Sequence, residues 1–161
     1  MKKSIALAIF ATLLAVSPAG IAGAVPPPED VAKGHGVAIT DERFNFSATS
    51  DPGGTNAQGK LRFASTLTFM GEKGPFPVVA EVTCLNVFSA NQAVIGGVVT
   101  KADHPVFQVG DGILFIVEDD GKPGGGIDQL RIDPVTVPVT CPAITLAGFL
   151  IQKGDIIVEN A

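Results

Sequence analysis

Residues 60–70 read KLRFASTLTFM, and this stretch decides the fold class. Leu61, Phe63, Leu67 and Phe69 stand at alternate positions, with Lys60, Arg62, Thr66 and Thr68 between them. A period of two belongs to a strand, whose successive side chains point to opposite faces, so one face is expected to meet a core and the other water. FNFSA, at residues 44–48, repeats the pattern. We therefore expect Phe44, Phe46, Phe63, Leu67 and Phe69 to share one core, and Lys60, Arg62 and Thr66 to stay outside it.

Outward from this stretch, FPVVAEVTCLNVF, AVIGGVVT, GILFIVED, IDQLRI and GDIIVEN are rich in Val, Ile and Phe and are bounded by Gly, Pro, Asn or Asp. They read as further strands, about seven to nine in all, at the spacing of an all-β domain. No segment after residue 24 shows helical spacing over three turns, which removes the crossovers that parallel strands need. The expected fold is a single-domain antiparallel β-barrel or β-sandwich, up-and-down or Greek-key. Gly96 and Gly97 interrupt AVIGGVVT, which marks a bulge or a close backbone approach.

The chain begins MKKSIALAIFATLLAVSPAGIAGA, in which two lysines precede an apolar run and the small residues Ala22, Gly23 and Ala24 follow Pro18. That order is expected of a cleaved signal peptide over 1–24, because the apolar run is too short to span a bilayer. A Pro-rich leader is expected over 25–33 (VPPPEDVAK) and the β domain over 34–161. The protein is thus expected to be secreted or periplasmic, without stable membrane insertion. An outer-membrane barrel is disfavoured, since the chain has no Trp and no Tyr to form interfacial girdles.

The formal charge is −5, and loss of Lys2 and Lys3 would take it to −5 − 2 = −7. No basic cluster occurs along the chain, so nucleic acid is not an expected partner. Seven acids lie between Asp103 and Asp133 against only Lys122 and Arg131, and one end of the protein is expected to be electronegative. In an oxidising compartment the two cysteines, Cys84 and Cys141, are expected to form a disulfide.

FNFSA, the turn DPGGTNAQGKLRF, VTCL at residues 82–85, the VEDDG…IDQLRI hairpin and the closing GDIIV resemble a loosely defined group of small secreted bacterial β-domains. The resemblance covers most of the chain after residue 24 and implies an exported all-β fold. The group has no agreed activity, so no catalytic residue is carried over.

Motifs for chemistry are sparse. There is no G-x-S-x-G, H-x-H or H-E-x-x-H, and His35 and His104 read as exposed loop histidines. Paired carboxylates could serve proton transfer, but the sequence does not choose among them. The segment VEDDGKPGGGIDQLRI, residues 117–132, poses the sharpest question. Asp119, Asp120 and Asp128 offer calcium-ligand chemistry beside Gly121, yet the EF-hand spacing is absent and neighbouring acids on a strand diverge. A turn needs less: Asp120-Gly121 starts it, Gly124 to Gly126 supply backbone freedom, and Asp128 accepts hydrogen bonds from loop amides. We expect an exposed loop at residues 121–126, no cofactor, and calcium as the alternative. Together these residues point to a non-catalytic binding or structural module for an extracellular or periplasmic partner or small ligand. The alternative is a small β-barrel hydrolase or isomerase using loop carboxylates.

Overall fold

The computed structural model describes residues 28–39, 41–69, 71–121, 127–145 and 148–161, so the expected signal peptide, residues 25–27 of the expected leader and Lys122 to Gly126 of the acidic turn lie outside the described residues. The strands are β1 (Asp30–Ala38), β2 (Arg43–Ser50), β3 (Gln58–Ser65), β4 (Thr68–Phe69), β5 (Glu72–Lys73), β6 (Phe76–Val87), β7 (Gln92–Ala102), β8 (Gly112–Glu118), β9 (Gln129–Val135) and β10 (Phe149–Glu159). Eight of them close a barrel in the order β1-β10-β9-β8-β7-β6-β3-β2, and β4-β5 form a separate two-stranded hairpin. Every pair is antiparallel and, the hairpin aside, chain neighbours are sheet neighbours. The domain is therefore an up-and-down barrel, which resolves the choice between barrel and sandwich.

The barrel is filled by its own side chains. Phe44, Phe46, Leu61, Phe63, Ile95, Ile113, Phe115, Leu130 and Ile156 are all buried in one cluster. Phe115 meets Phe46 and Phe63 edge-on, with ring centroids 5.8 and 6.3 Å apart, which is the packing that ring quadrupoles favour. Space for Phe46 comes from Gly34 on the next strand, where a Cβ would stand 2.8 Å from the ring. β1 begins at Asp30 rather than near Gly34 as expected, pairing from Asp30↔Ser50 onward, and this exchange of a small residue for a ring removes the alternation that would mark it. Its inward positions are Ala32, Gly34 and Gly36, so no large apolar residue marks the alternation.

The stretch 60–70 is corrected in its second half. Phe44, Phe46 and Phe63 are buried, and Lys60 and Arg62 face outward as expected. But β3 ends where Ser65 pairs with Phe76, so the chain leaves the barrel rim before Leu67. Leu67 is 46% exposed. Phe69 is half-buried on the β4-β5 hairpin, against Phe76, and Thr66 donates its hydroxyl to the Asp41 carbonyl.

On the β7-β8 side the barrel wears a strap. Val94, Leu114 and Ile116 are buried although they point out of the barrel, because Val139 and Cys141 cover them. The disulfide expected from the sequence is present: Cys84 and Cys141 are joined with Cα atoms 5.9 Å apart, and Asn86 donates from its side-chain amide to the Cys141 carbonyl at 2.9 Å. Gly96 lies beneath this bond, where a Cβ would come within 2.6 Å of the Cys84 sulfur and of Val139. Close approach, not ligand contact, accounts for that glycine.

Candidate functional site

The acids of residues 117–132 sit where the barrel is weakest. β9 and β10 pair only at Phe149↔Leu130 and Leu150↔Gln129. Beyond that point carboxylates stand in for the missing backbone ladder. Asp128, 8% exposed, accepts the Ile156 amide at 2.8 Å through one oxygen and the Asp120 amide at 3.1 Å through the other. Asp119 accepts the Val158 amide at 3.1 Å and the Gly121 amide at 2.9 Å. A third aspartate, Asp30, repeats the device, holding the amides of Ala161 at 3.1 Å and Gly53 at 3.2 Å. Bonds from an amide to a carboxylate are charge-assisted and stronger than neutral ones, so each acid ties down two chain segments.

Asp119 and Asp128 are thus structural, while Asp120 is exposed and contributes its backbone amide. Among the described residues no group of three or more His, Cys, Asp or Glu is placed to hold a metal ion. The strands flanking the turn pair as expected, from Glu118↔Gln129 inward, and Gly121 is exposed with φ +113°, a conformation that suits glycine, while the rest of the expected 121–126 loop lies outside the described residues. The expectation of a single electronegative end is corrected. Asp103 and Asp111 lie in the loop before β8 and Asp119, Asp120 and Asp128 in the loop after it, so β8 separates the two groups along the barrel.

At the other end of the barrel, the mouth formed by the loops after β3 and β7 gathers residues that the sequence keeps apart. His104 is only half-buried, but it is not the free loop histidine expected. Its ring lies 5.5 Å from Phe63, 5.7 Å from Phe69, 6.1 Å from Phe76 and 5.3 Å from Phe107, centroid to centroid. Nδ1 accepts the Val106 amide at 3.1 Å, which leaves the neutral ring's proton on Nε2. Burial pushes the imidazole pKa below its ordinary value, because the ring lies where a charge is poorly solvated. Above this cluster opens a cleft of about 330 Å³, lined by Phe69, Glu72, Phe76, Asp103, His104 and Pro105. Glu72 and Asp103 are exposed at its rim and have no ion-pair partner among the described residues.

The sequence offered one faint signal for this site, the phenylalanines of TFMGEKGPF placed among glycine and proline rather than inside a clean strand. Nothing local in ADHPV announces that His104 meets four of the chain's phenylalanines. His35, by contrast, is exposed on the outer face of β1, opposite Asn45 and Asp155. That face also collects Lys33, Arg43, Lys60, Arg62, Lys101 and Lys153 from five strands, with Glu81 bridging to Lys60 at 3.1 Å. With acids interspersed and nothing covering it among the described residues, this is a solvated face. Compared with protein-family models, with curated proteins and with solved structures, the chain matches none.

Proposed function

We propose that this protein is an exported, non-catalytic binding module that holds a small ligand in the cleft at the barrel mouth. The contrast between a filled interior and an open aromatic cleft carries the proposal. Phe46, Phe63 and Phe115 are buried together inside the barrel and occupy the space a carrier's cargo would need, which favours recognition at the surface. Of the surface, the cleft unites concavity, aromatic rings and two carboxylates that have no ion-pair partner among the described residues. Its volume lies at the small end for ligand sites. Export is supported by the disulfide, a bond that persists in oxidising compartments, and by the order of residues at the N-terminus. Of the loop acids that proton-transfer chemistry could draw on, Asp119 and Asp128 hold amides and Asp133 pairs with Arg131 at 2.8 Å, which leaves Asp103 in the cleft as a binding group.

Titration with a mixture of fragment-sized amines, alcohols and carboxylic acids, followed by backbone amide shifts, tests this directly. Shifts clustered at residues 69–76 and 103–107, and weakened by Phe69→Ala, are expected. Shifts confined to the outer faces of β2 and β3, or no saturable shifts at all, would overturn it.

A further inference from the structure

The chemistry of the cleft narrows its ligand to one class, an inference that rests on the binding function proposed for it. Phe69, Phe76 and His104 stand around one point: the ring centroids are 6.0, 5.7 and 6.1 Å apart pairwise, and the planes meet at 84°, 61° and 81°. These near-perpendicular planes form a corner rather than a stack. Aromatic faces carry partial negative charge and attract ammonium groups placed over them. Two carboxylates, Glu72 on β5 and Asp103 in the loop after β7, add full negative charge on the same rim.

The lining side chains also exclude other classes. Phenylalanine and proline side chains donate no hydrogen bond, ionised Glu and Asp only accept, and His104 has spent Nδ1 on the Val106 amide. Among the described lining side chains, Nε2–H is the one donor left. An anion would meet two like charges and a single donor. A neutral apolar ligand would cover Glu72 and Asp103 and strip them of water without return. A compact cation satisfies both the rings and the carboxylates. We propose that the cleft binds a small organic cation, an ammonium group carrying apolar substituents.

Choline and its uncharged isostere 3,3-dimethyl-1-butanol differ in charge and hardly in shape, which makes them the deciding pair. With the intact barrel and amide shifts as the readout, choline should saturate a set of residues at 69–76 and 103–107. The isostere should bind at least about tenfold more weakly. Each exposed carboxylate should be worth up to about fivefold, so Glu72→Gln and Asp103→Asn should each weaken choline by about that factor. Phe69→Leu, a half-buried position on the hairpin, should weaken it by a similar factor through loss of the ring face. Both carboxylate variants alter exposed positions, so folding is retained and their effect reports binding. If the isostere binds as tightly as choline at these residues, the cleft is a binding site but not a cation site, and this proposal falls alone. If neither compound shifts the cleft, the cation proposal falls, and the binding reading falls with it when the fragment mixture also leaves residues 69–76 and 103–107 unshifted.

Discussion

The two sides of this barrel are closed by different means. Along β1, β2, β3 and β6 the backbone does the work: β1 is in register with β2 from Asp30↔Ser50 to Val37↔Arg43, and β3 with β6 from Lys60↔Glu81 to Ser65↔Phe76. The outer face there is polar and, among the described residues, bare. Around β8, β9 and β10 the ladder shrinks to two residue pairs between β9 and β10, and side chains take over. Asp119 and Asp128 receive amides from β10, and the Cys84–Cys141 bond holds a strap over apolar residues that would otherwise meet water. A regular ladder tolerates change in its outward residues, whereas a side-chain closure concentrates stability in a few atoms.

The largest break in this contrast should come from the disulfide. Replacing Cys84 and Cys141 together by Ser removes a cross-link between residues 57 apart in sequence. The loop-entropy relation puts the cost at about 4 kcal/mol. Urea unfolding should show the free energy of unfolding falling by that amount, and Val94, Leu114 and Ile116 should become exposed as the strap lifts. Asp128→Ala comes next. It strands the amides of Ile156 and Asp120, a loss of about 3 kcal/mol on the scale of unsatisfied buried donors. Hydrogen exchange at Ile156 should accelerate selectively, and Asp128→Asn, which keeps one acceptor oxygen, should cost less.

His104 gives a smaller, pH-dependent effect. Its folded pKa lies below the ordinary 6.5, so the unfolded chain takes up the proton more readily. Stability from this group is therefore complete above that value and declines as pH falls through it. Glu72 and Asp103 are the carboxylates that share its cleft. Thermal melts between about pH 7.5 and 5 should decline less steeply in His104→Gln than in the parent protein. Smallest of all should be the bare side. Lys60→Ala breaks an ion pair whose side chains are 43% and 52% exposed, and denaturant unfolding should register less than about 1 kcal/mol.

The same contrast explains how much of the molecule was legible in its sequence. Where closure is by backbone, alternation is visible: Phe44, Phe46, Leu61 and Phe63 alternate with polar residues and all turn inward. The apolar run of β8 is also explained, since Ile113, Phe115 and Val117 face the core while Leu114 and Ile116 face the strap. β1 was hidden because its inward residues are small and Phe46 from β2 fills the space over Gly34. Leu67 and Phe69 keep the strand's period after the strand has ended, which no local pattern reveals. At the seam the sequence showed the acids but not their partners, for Asp128 reaches an amide 28 residues away and Asp119 one 39 residues away. The mouth was least legible, because Phe63, Phe69, Phe76, His104 and Phe107 converge from three segments through contacts that leave no period.

Thermal unfolding in the presence of calcium decides whether the acidic turn closes the barrel, as its hydrogen bonds indicate, or holds an ion. With the carboxylates of Asp119 and Asp128 already holding four amides, the melting temperature should be unchanged up to millimolar calcium. A calcium site occupied at a hundred times its dissociation constant would add about 2.7 kcal/mol, a shift of several degrees. A rise of that size that disappears in Asp128→Asn would contradict the structural role assigned to these residues.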